Sequence, residues 1–299
     1  MSNPLNEFIG VLQRELGSAP ERLEPETLTR FDESGKPRGN KNCWAVLYLD
    51  GRPAGAYGNW RTDFNATWVA GGKESMTPAE RQALKARMQA ERLRREAERH
   101  QQHQEAAKTA LELWLETNPA TADHTYLTIK RIQPGIARQD SRGRLALPLV
   151  DFEGEVVSLQ FIAADGGKRF LPGGRKKGAF IPVRQSNSAS TTLICEGWAT
   201  GQTLAEQHPQ ARVLAALDAG NLKPVALGAR RTWPHSTLVI CADDDRLSEY
   251  NTGRIKGREA AIASGGLLAL PEWPEGAPED LTDFNDLACW LKKTGVLYA

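Results

Sequence analysis

The clearest hydrophobic pattern lies in the last third of the chain. Apolar runs at Thr192–Cys195, Arg212–Ala216, Thr237–Cys241 and Leu267–Leu270 read as strands, and amphipathic stretches at about 199–207, 221–228 and 254–264 read as helices. Strands alternating with helices predict a parallel sheet flanked by helices. Upstream the pattern changes. Leu145–Val150, Val156–Ile162, Arg169–Leu171 and Ala179–Ile181 read as short antiparallel strands separated by glycine-rich turns, followed by a small polar linker at 185–190. Before them, Thr77-Pro-Ala-Glu80 is a capping box with proline at the first helical position, and it opens a long polar helix to about Glu116. Residues 80–116 hold eight Lys/Arg and seven Glu, mixed along the helix, which predicts a solvent-exposed connector. At the N-terminus, Leu5, Phe8, Ile9, Leu12 and Leu16 share a helical face over 4–16, and Trp44–Leu49, Gly55–Tyr57 and Ala66–Val69 are short strand candidates. The expected fold class is α/β. Its parts are a small α+β unit (1–75), a polar connecting helix (76–120), a basic α+β subdomain (121–190) and a parallel-sheet domain (191–299).

Composition changes this picture little. The 299 residues carry a net charge of +1, so any polyanion partner must be met by a local patch. Cys43, Cys195, Cys241 and Cys289 are far apart with no CxxC pair, which excludes a zinc ribbon built here. Cys195 and Cys241 sit inside apolar strands, where buried reduced thiols are expected. No basic-then-apolar leader opens the sequence and no apolar run approaches a membrane span. The expectation is a soluble cytoplasmic protein without a membrane partner. The five histidines offer no Ser/His/Asp arrangement, and His100 and His103, three apart on the long helix, read as surface residues.

The chemistry concentrates in acids placed after strands. Glu196-Gly197 follows one apolar strand and Asp243-Asp244-Asp245 follows another, 47 residues on from Glu196 to Asp243. Sites in open parallel sheets form at the carboxyl ends of strands. If the two strands are neighbours, Glu196, Asp243 and Asp245 meet at one edge, with Asp244 turned away. Carboxylates crowded in this way repel unless a hard cation bridges them. One such acid alone would read as a helix N-cap; the pair of motifs points instead to a divalent-metal site for phosphodiester chemistry.

The Glu-Gly and Asp-x-Asp pair resembles the Toprim domain of DnaG-type primases, topoisomerases and some nucleases. Glu196–Gly201, Leu217–Leu222 and Asp283–Leu287, with Gly143–Pro148, Ser158–Gln160 and Gly167–Gly173 upstream, are similar to primases of phages and conjugative plasmids. The resemblance covers about residues 120–290 and makes 121–190 a primase subdomain ahead of a Toprim sheet. It implies Glu196 as acid/base or metal-associated residue, Asp243 and Asp245 as metal ligands, and Mg²⁺ or Mn²⁺ as cofactor. Asp283 and Asp286 are candidates for a third acidic element, because residues 272–286 hold six acids and no base; a solvated acidic loop is the competing reading. Thr200 stands where DnaG-type enzymes commonly have a further acid, which leaves the remaining ligands of a second metal open.

Basic residues border these acids. Residues 168–184 contain Lys168, Arg169, Arg175, Lys176, Lys177 and Arg184 and no acid, and Arg144 lies in a second basic stretch. Such a surface suits a polyanion, and Gly173, Gly174 and Gly178 permit close approach of backbone to phosphate. By the resemblance, Lys168 and Arg169 would hold template or incoming nucleoside triphosphate. In the N-terminal unit, 38–44 and 58–61 mix basic residues with Trp44 and Trp60, which fits either base stacking or a tryptophan core. The reading implied is primer synthesis on single-stranded DNA from NTPs. With no GxxxxGK[ST] string, a separate replicative helicase is expected. A Toprim nuclease and a non-enzymatic single-stranded DNA-binding transfer factor are the alternatives.

Overall fold

The structure, a computed structural model, describes residues 3–72, 77–186 and 188–295, without the side chains of Glu80 and Leu84. Glu80, the reciprocal half of the expected capping box, therefore lies outside the described side chains. The chain divides within the long helix into two compact units, Met1–Arg94 and Arg95–Ala299.

In the first unit, α1 (Pro4–Leu16) starts at Asn3, whose side chain accepts the Leu5 N–H at 3.0 Å, and stops at Gly17 in the left-handed region. Its face buries Phe8 and Leu12, with Leu5 and Leu16 half-buried beside them. The partner is an antiparallel sheet, β1 (Thr29–Phe31), β2 (Cys43–Tyr48), β3 (Ala54–Asn59) and β4 (Phe64–Val69), in chain order. Cys43, Ala45, Leu47 and Tyr57 supply its inner face, following the two-residue period. Gly55 is required there, since a Cβ would stand 2.6 Å from the Phe8 ring. Strand β1 escapes sequence reading because three residues show no alternation.

Helix α2 (Pro78–Glu116) has the expected length. Its C-terminal turns are not a free connector, however. Ala106 and Ala110 are buried, and Leu113 and Trp114 pack with Ala146, Leu159 and Phe161. The spacing 106, 110, 113 is itself an apolar helical stripe, hidden in the sequence by the charges around it.

The second unit contains two five-stranded sheets. The first is antiparallel in chain order: β5 (Asn118–Pro119), β6 (Arg138–Gln139), β7 (Leu145–Val150), β8 (Val156–Ile162) and β9 (Lys168–Phe170), with α3 (Thr125–Lys130) between β5 and β6. The remaining elements are β10 (Ile181–Arg184), β11 (Thr191–Cys195), α4 (Trp198–Gln207), β12 (Arg212–Ala215), α5 (Ala219–Thr232), β13 (Thr237–Cys241), α6 (Thr252–Ser264), β14 (Leu267–Ala269) and α7 (Phe284–Thr294). They build a sheet of order β10-β12-β11-β13-β14 in which β11 to β14 run parallel.

Two expectations change. The strand expected at Ala179–Ile181 lies instead at Ile181–Arg184 and belongs to this second sheet, antiparallel to β12. Pro182 lacks a donor and so suits that edge position. The linker at 185–190 thus joins two strands of one sheet. Helix α7 is the second change; the acidic stretch is a loop up to its end, where Asp283 caps α7 and Asp286 lies in the first turn. Leu145, Leu147 and Leu149 of the first sheet share a core with Val183, Cys195 and Val213 of the second.

Candidate metal and nucleic-acid site

Strands β11 and β13 are parallel neighbours with Cys195 opposite Cys241, so Glu196 and Asp243 leave the same edge of the sheet. Beyond the strand ends the edge stays zipped, by the Ala216 N–H to Cys195 O (2.7 Å) and the Leu217 N–H to Glu196 O (2.8 Å). Glu196 and Asp243 are half-buried residues, yet Glu196 Oε1 and Asp243 Oδ1 are shut off from solvent and accept no hydrogen bond. Burial raises both carboxyls well above their ordinary range. At Glu196 a hydrogen bond from the Asp243 backbone opposes the shift while repulsion from Asp245, Asp218 and Asp283 adds to it, and repulsion from Glu196, Asp283 and Asp245 adds to that of Asp243. Lys168 opposes the shift at Asp243. Two shielded acceptors beside further acids fit a hard divalent cation, which prefers oxygen ligands and would relieve both orphaned oxygens. Among the described residues no three His, Cys, Asp or Glu side chains are grouped so that they could hold a metal ion, so Asp245 does not complete a three-carboxylate site with Glu196 and Asp243 here.

Asp244 turns away as expected, accepting from Asn251 Nδ2 at 2.8 Å and Trp273 Nε1 at 3.1 Å. Asp245 lies against the start of α6, where its Oδ2 accepts the Gly253 N–H at 3.4 Å. Gly253 is not replaceable without movement: a Cβ would stand 2.4 Å from the Asp243 carbonyl oxygen and 3.0 Å from Glu196 Oε1. Asn251 and Gly253 are site-building residues that sequence reading missed; an Asn cap eight residues beyond Asp243 was the available signal.

The third acidic element divides. Asp283 caps α7, accepting the N–H groups of Asn285 (2.7 Å) and Asp286 (2.9 Å), and burial raises its carboxyl. Its charge reaches Glu196 and Asp243. Asp286 turns instead to Lys130 Nζ at 3.1 Å and to the Thr282 N–H at 3.2 Å. Asp218, not singled out from sequence, adds its charge at Glu196 while capping α5 and pairing with Lys176. Thr200 is buried in the first turn of α4.

The basic candidates also separate. Arg144 pairs with Asp140 at 2.7 Å over the Phe161 ring, Arg175 pairs with Asp151 at 2.6 Å, and Lys176 pairs with Asp218. Their acids come from outside 168–184, which is why that stretch looks uncompensated in the sequence. Lys168, Arg169 and Lys177 are exposed and form no ion pair among the described residues. Lys168 Nζ approaches the Glu-Gly turn, 3.9 Å from where a Cβ on Gly197 would lie. Asn221 fixes the loop: its Oδ1 accepts the Gly178 N–H at 2.8 Å, and its Nδ2 donates to the carbonyls of Lys176 (3.1 Å), Ala179 (2.9 Å) and Ala216 (2.8 Å). A cavity of about 900 Å³ lies beyond that loop, lined by Arg175, Lys177, Lys223 and Arg231 among others; none of Glu196, Asp243 and Asp245 lines it.

Residues 191–291 match the Toprim domain family. Two DNA primases TraC from Escherichia coli are similar to this chain: one is 34% identical over 256 residues (83% of this chain, 24% of the relative), the other 33% over 268 (86% and 18%). The chain therefore spans about a quarter or less of the length of these relatives. Among solved structures it is similar to the DnaG primase catalytic domain bound to ssDNA, at 15% identity and a TM-score of 0.43, over 66% of this chain and 77% of that one.

Proposed function

We propose that this chain is the catalytic part of a DNA primase of mobile-element type, making short RNA primers on single-stranded DNA from NTPs with Mg²⁺ or Mn²⁺. The observation that carries the reading is the pair of shielded, unpartnered oxygens, Glu196 Oε1 and Asp243 Oδ1, at the carboxyl edge of neighbouring parallel strands. The names of the E. coli relatives, DNA primases that align over most of this chain, support the choice of reaction.

Glu196, Asp243 and Asp245 would hold the cation, with Asp283 adding charge from the α7 cap. A cation held by these residues would supply Lewis acidity for an attacking 3′-hydroxyl and positive charge beside the departing pyrophosphate. The chain's own groups do the rest. Lys168, the cation nearest the Glu-Gly turn, meets the triphosphate. Arg169 and Lys177 meet strand phosphates. Asn221 keeps the 176–179 backbone in place against the end of β12. Duplex opening falls to a helicase outside these 299 residues, in which no GxxxxGK[ST] string occurs.

The test is synthesis of labelled RNA on a single-stranded DNA template with NTPs and Mg²⁺. Short products are expected, lost by at least about a hundredfold in Glu196→Gln with Asp243→Asn. Undiminished synthesis by that double variant would sink the site assignment; metal-dependent strand cleavage without NTPs would replace the primase reading with a nuclease.

A further inference from the structure

Helix α1 covers one face of the N-terminal sheet. On the other face, cross-strand register puts Arg30, Trp44, Gly58 and Asn65 in one row. The Trp44 indole lies over Gly58, where a Cβ would stand 2.8 Å from the indole Nε1. Trp60 follows β3, donates its backbone N–H to the Asn42 carbonyl at 2.9 Å, and packs tilted against Trp44 with ring centroids 5.4 Å apart and planes 30° apart. Trp60 is 57% exposed. The sequence left these tryptophans between core and stacking platform; a core residue does not keep more than half its surface in water.

The β1–β2 connection brings charge to the same end of the sheet. Arg30, Lys36, Arg38 and Lys41 face only Asp32 and Glu33 there. Both acids are consumed in building the loop. Asp32 accepts the N–H groups of Gly39 (2.6 Å) and Lys41 (3.1 Å) and pairs with the Lys41 ammonium at 3.5 Å. Glu33 takes Arg61 Nε at 2.8 Å and Asn42 Nδ2 at 3.0 Å. Arg30 spends its guanidinium on the Lys41 carbonyl, an uncharged acceptor, and Lys36 and Arg38 are exposed; none of the three forms an ion pair among the described residues. The result is a tilted indole pair, half-buried at Trp44 and exposed at Trp60, beside an excess of positive charge. Single strands are held without sequence preference by that combination, bases on flat aromatic surface and phosphates on cations.

We propose that Trp44 and Trp60, with the cations of the 30–41 segment, form a binding surface for single-stranded nucleic acid. It needs no divalent ion and reads no base edge. It goes beyond primer synthesis, since it rests on none of the Toprim acids and is expected to work in a chain that makes no primers.

The experiment uses the full chain and a labelled oligodeoxythymidylate, followed by fluorescence anisotropy in EDTA. Binding is expected to persist in EDTA. Trp60→Ala should weaken it about tenfold, Trp60→Phe much less, consistent with base stacking. Lys36→Gln with Arg38→Gln should lower the slope of log affinity against log salt by about 1 to 2. Trp60→Ala that keeps the parent's thermal unfolding and also its affinity overturns the proposal. So does a parent that sediments as a dimer, with Trp60→Ala a monomer of unchanged affinity, because the face then joins copies of the chain. Failure of the parent to make primers leaves the binding result standing, so the two readings fail separately.

Discussion

Glu33 and Asp243 are both acids at the end of a sheet, and they differ in every respect that matters. Glu33 is bonded by Arg61 and Asn42, and the Arg61 guanidinium chiefly holds its carboxyl down to about 2. Asp243 has an oxygen shut away from solvent with no donor, and burial followed by repulsion from its neighbours pushes its carboxyl up. The first acid folds a loop. The second is left short of positive charge, and a fold retains such a group only where something else supplies the charge. Asn221 is the useful third case: it is a buried polar residue too, but both its side-chain polar atoms are bonded to the backbone around it. Burial alone therefore does not mark the site, nor does a missing partner, since Ser158, Arg184, Trp198, Arg246 and Asn285 also bury an unpartnered atom; among these residues only Glu196 and Asp243 do so with a carboxylate.

The largest effect expected from breaking this comparison is at Asn221. Asn221→Ala removes the acceptor of the Gly178 N–H and the donor shared by three carbonyls, costing about 2–3 kcal/mol. The loop carrying Lys176 and Lys177 loses its anchor, so KM for NTP should rise more than kcat falls. Denaturant unfolding and steady-state primer synthesis read the two parts. Unchanged stability would mean that the apparent full pairing of Asn221 contributes nothing.

How far these distinctions could be read from sequence depends on distance along the chain. Strands β11 and β13 and the acids after them were legible because a strand buried on both faces is a continuous apolar run, and its end is a sharp change of character. Helices α4, α5 and α6 followed from alternation. The local pattern puts edge strand β10 too early because Phe180 and Ile181 dominate it, whereas pairing with β12 is decided about 30 residues downstream. The pairing state of charges was least legible. Arg175 and Lys176 meet Asp151 and Asp218, and Asn221 meets carbonyls more than 40 residues back, all brought together only by the fold. Gly253 is identified only by what its missing Cβ would strike.

A smaller effect, of opposite sign in the two acids, sharpens the contrast. Asp243→Asn removes a carboxyl whose ionisation is opposed by burial and by its neighbours, so the cation-free protein should unfold at the same temperature or about 1–3 °C higher. Glu33→Gln removes the charge that Arg61 meets at a largely buried carboxylate and should lower the midpoint by about 1–3 °C. Primer synthesis should collapse in the first variant and persist in the second. Equal loss of stability in both would show that Asp243 is held by partners as Glu33 is.

The smallest effect is the response of stability to pH and cation. Glu196 and Asp243 have folded-state pKa values raised above the unfolded ones, so the stability they contribute is complete below the ordinary carboxylate range. It is lost as pH rises through the raised values. Glu33, with its value lowered, works the other way and loses its contribution only in acid. The cation-free chain should therefore show a melting temperature that declines between about pH 5 and pH 8, with a shallower decline in Asp243→Asn. Millimolar Mg²⁺ should recover the loss at about pH 8 and do little at about pH 5, where protons occupy the same oxygens. Differential scanning fluorimetry across that range checks both slopes. A Mg²⁺ effect that is equal at the two pH values, or that survives Glu196→Gln with Asp243→Asn, would place the cation somewhere other than the shielded oxygens of this sheet edge.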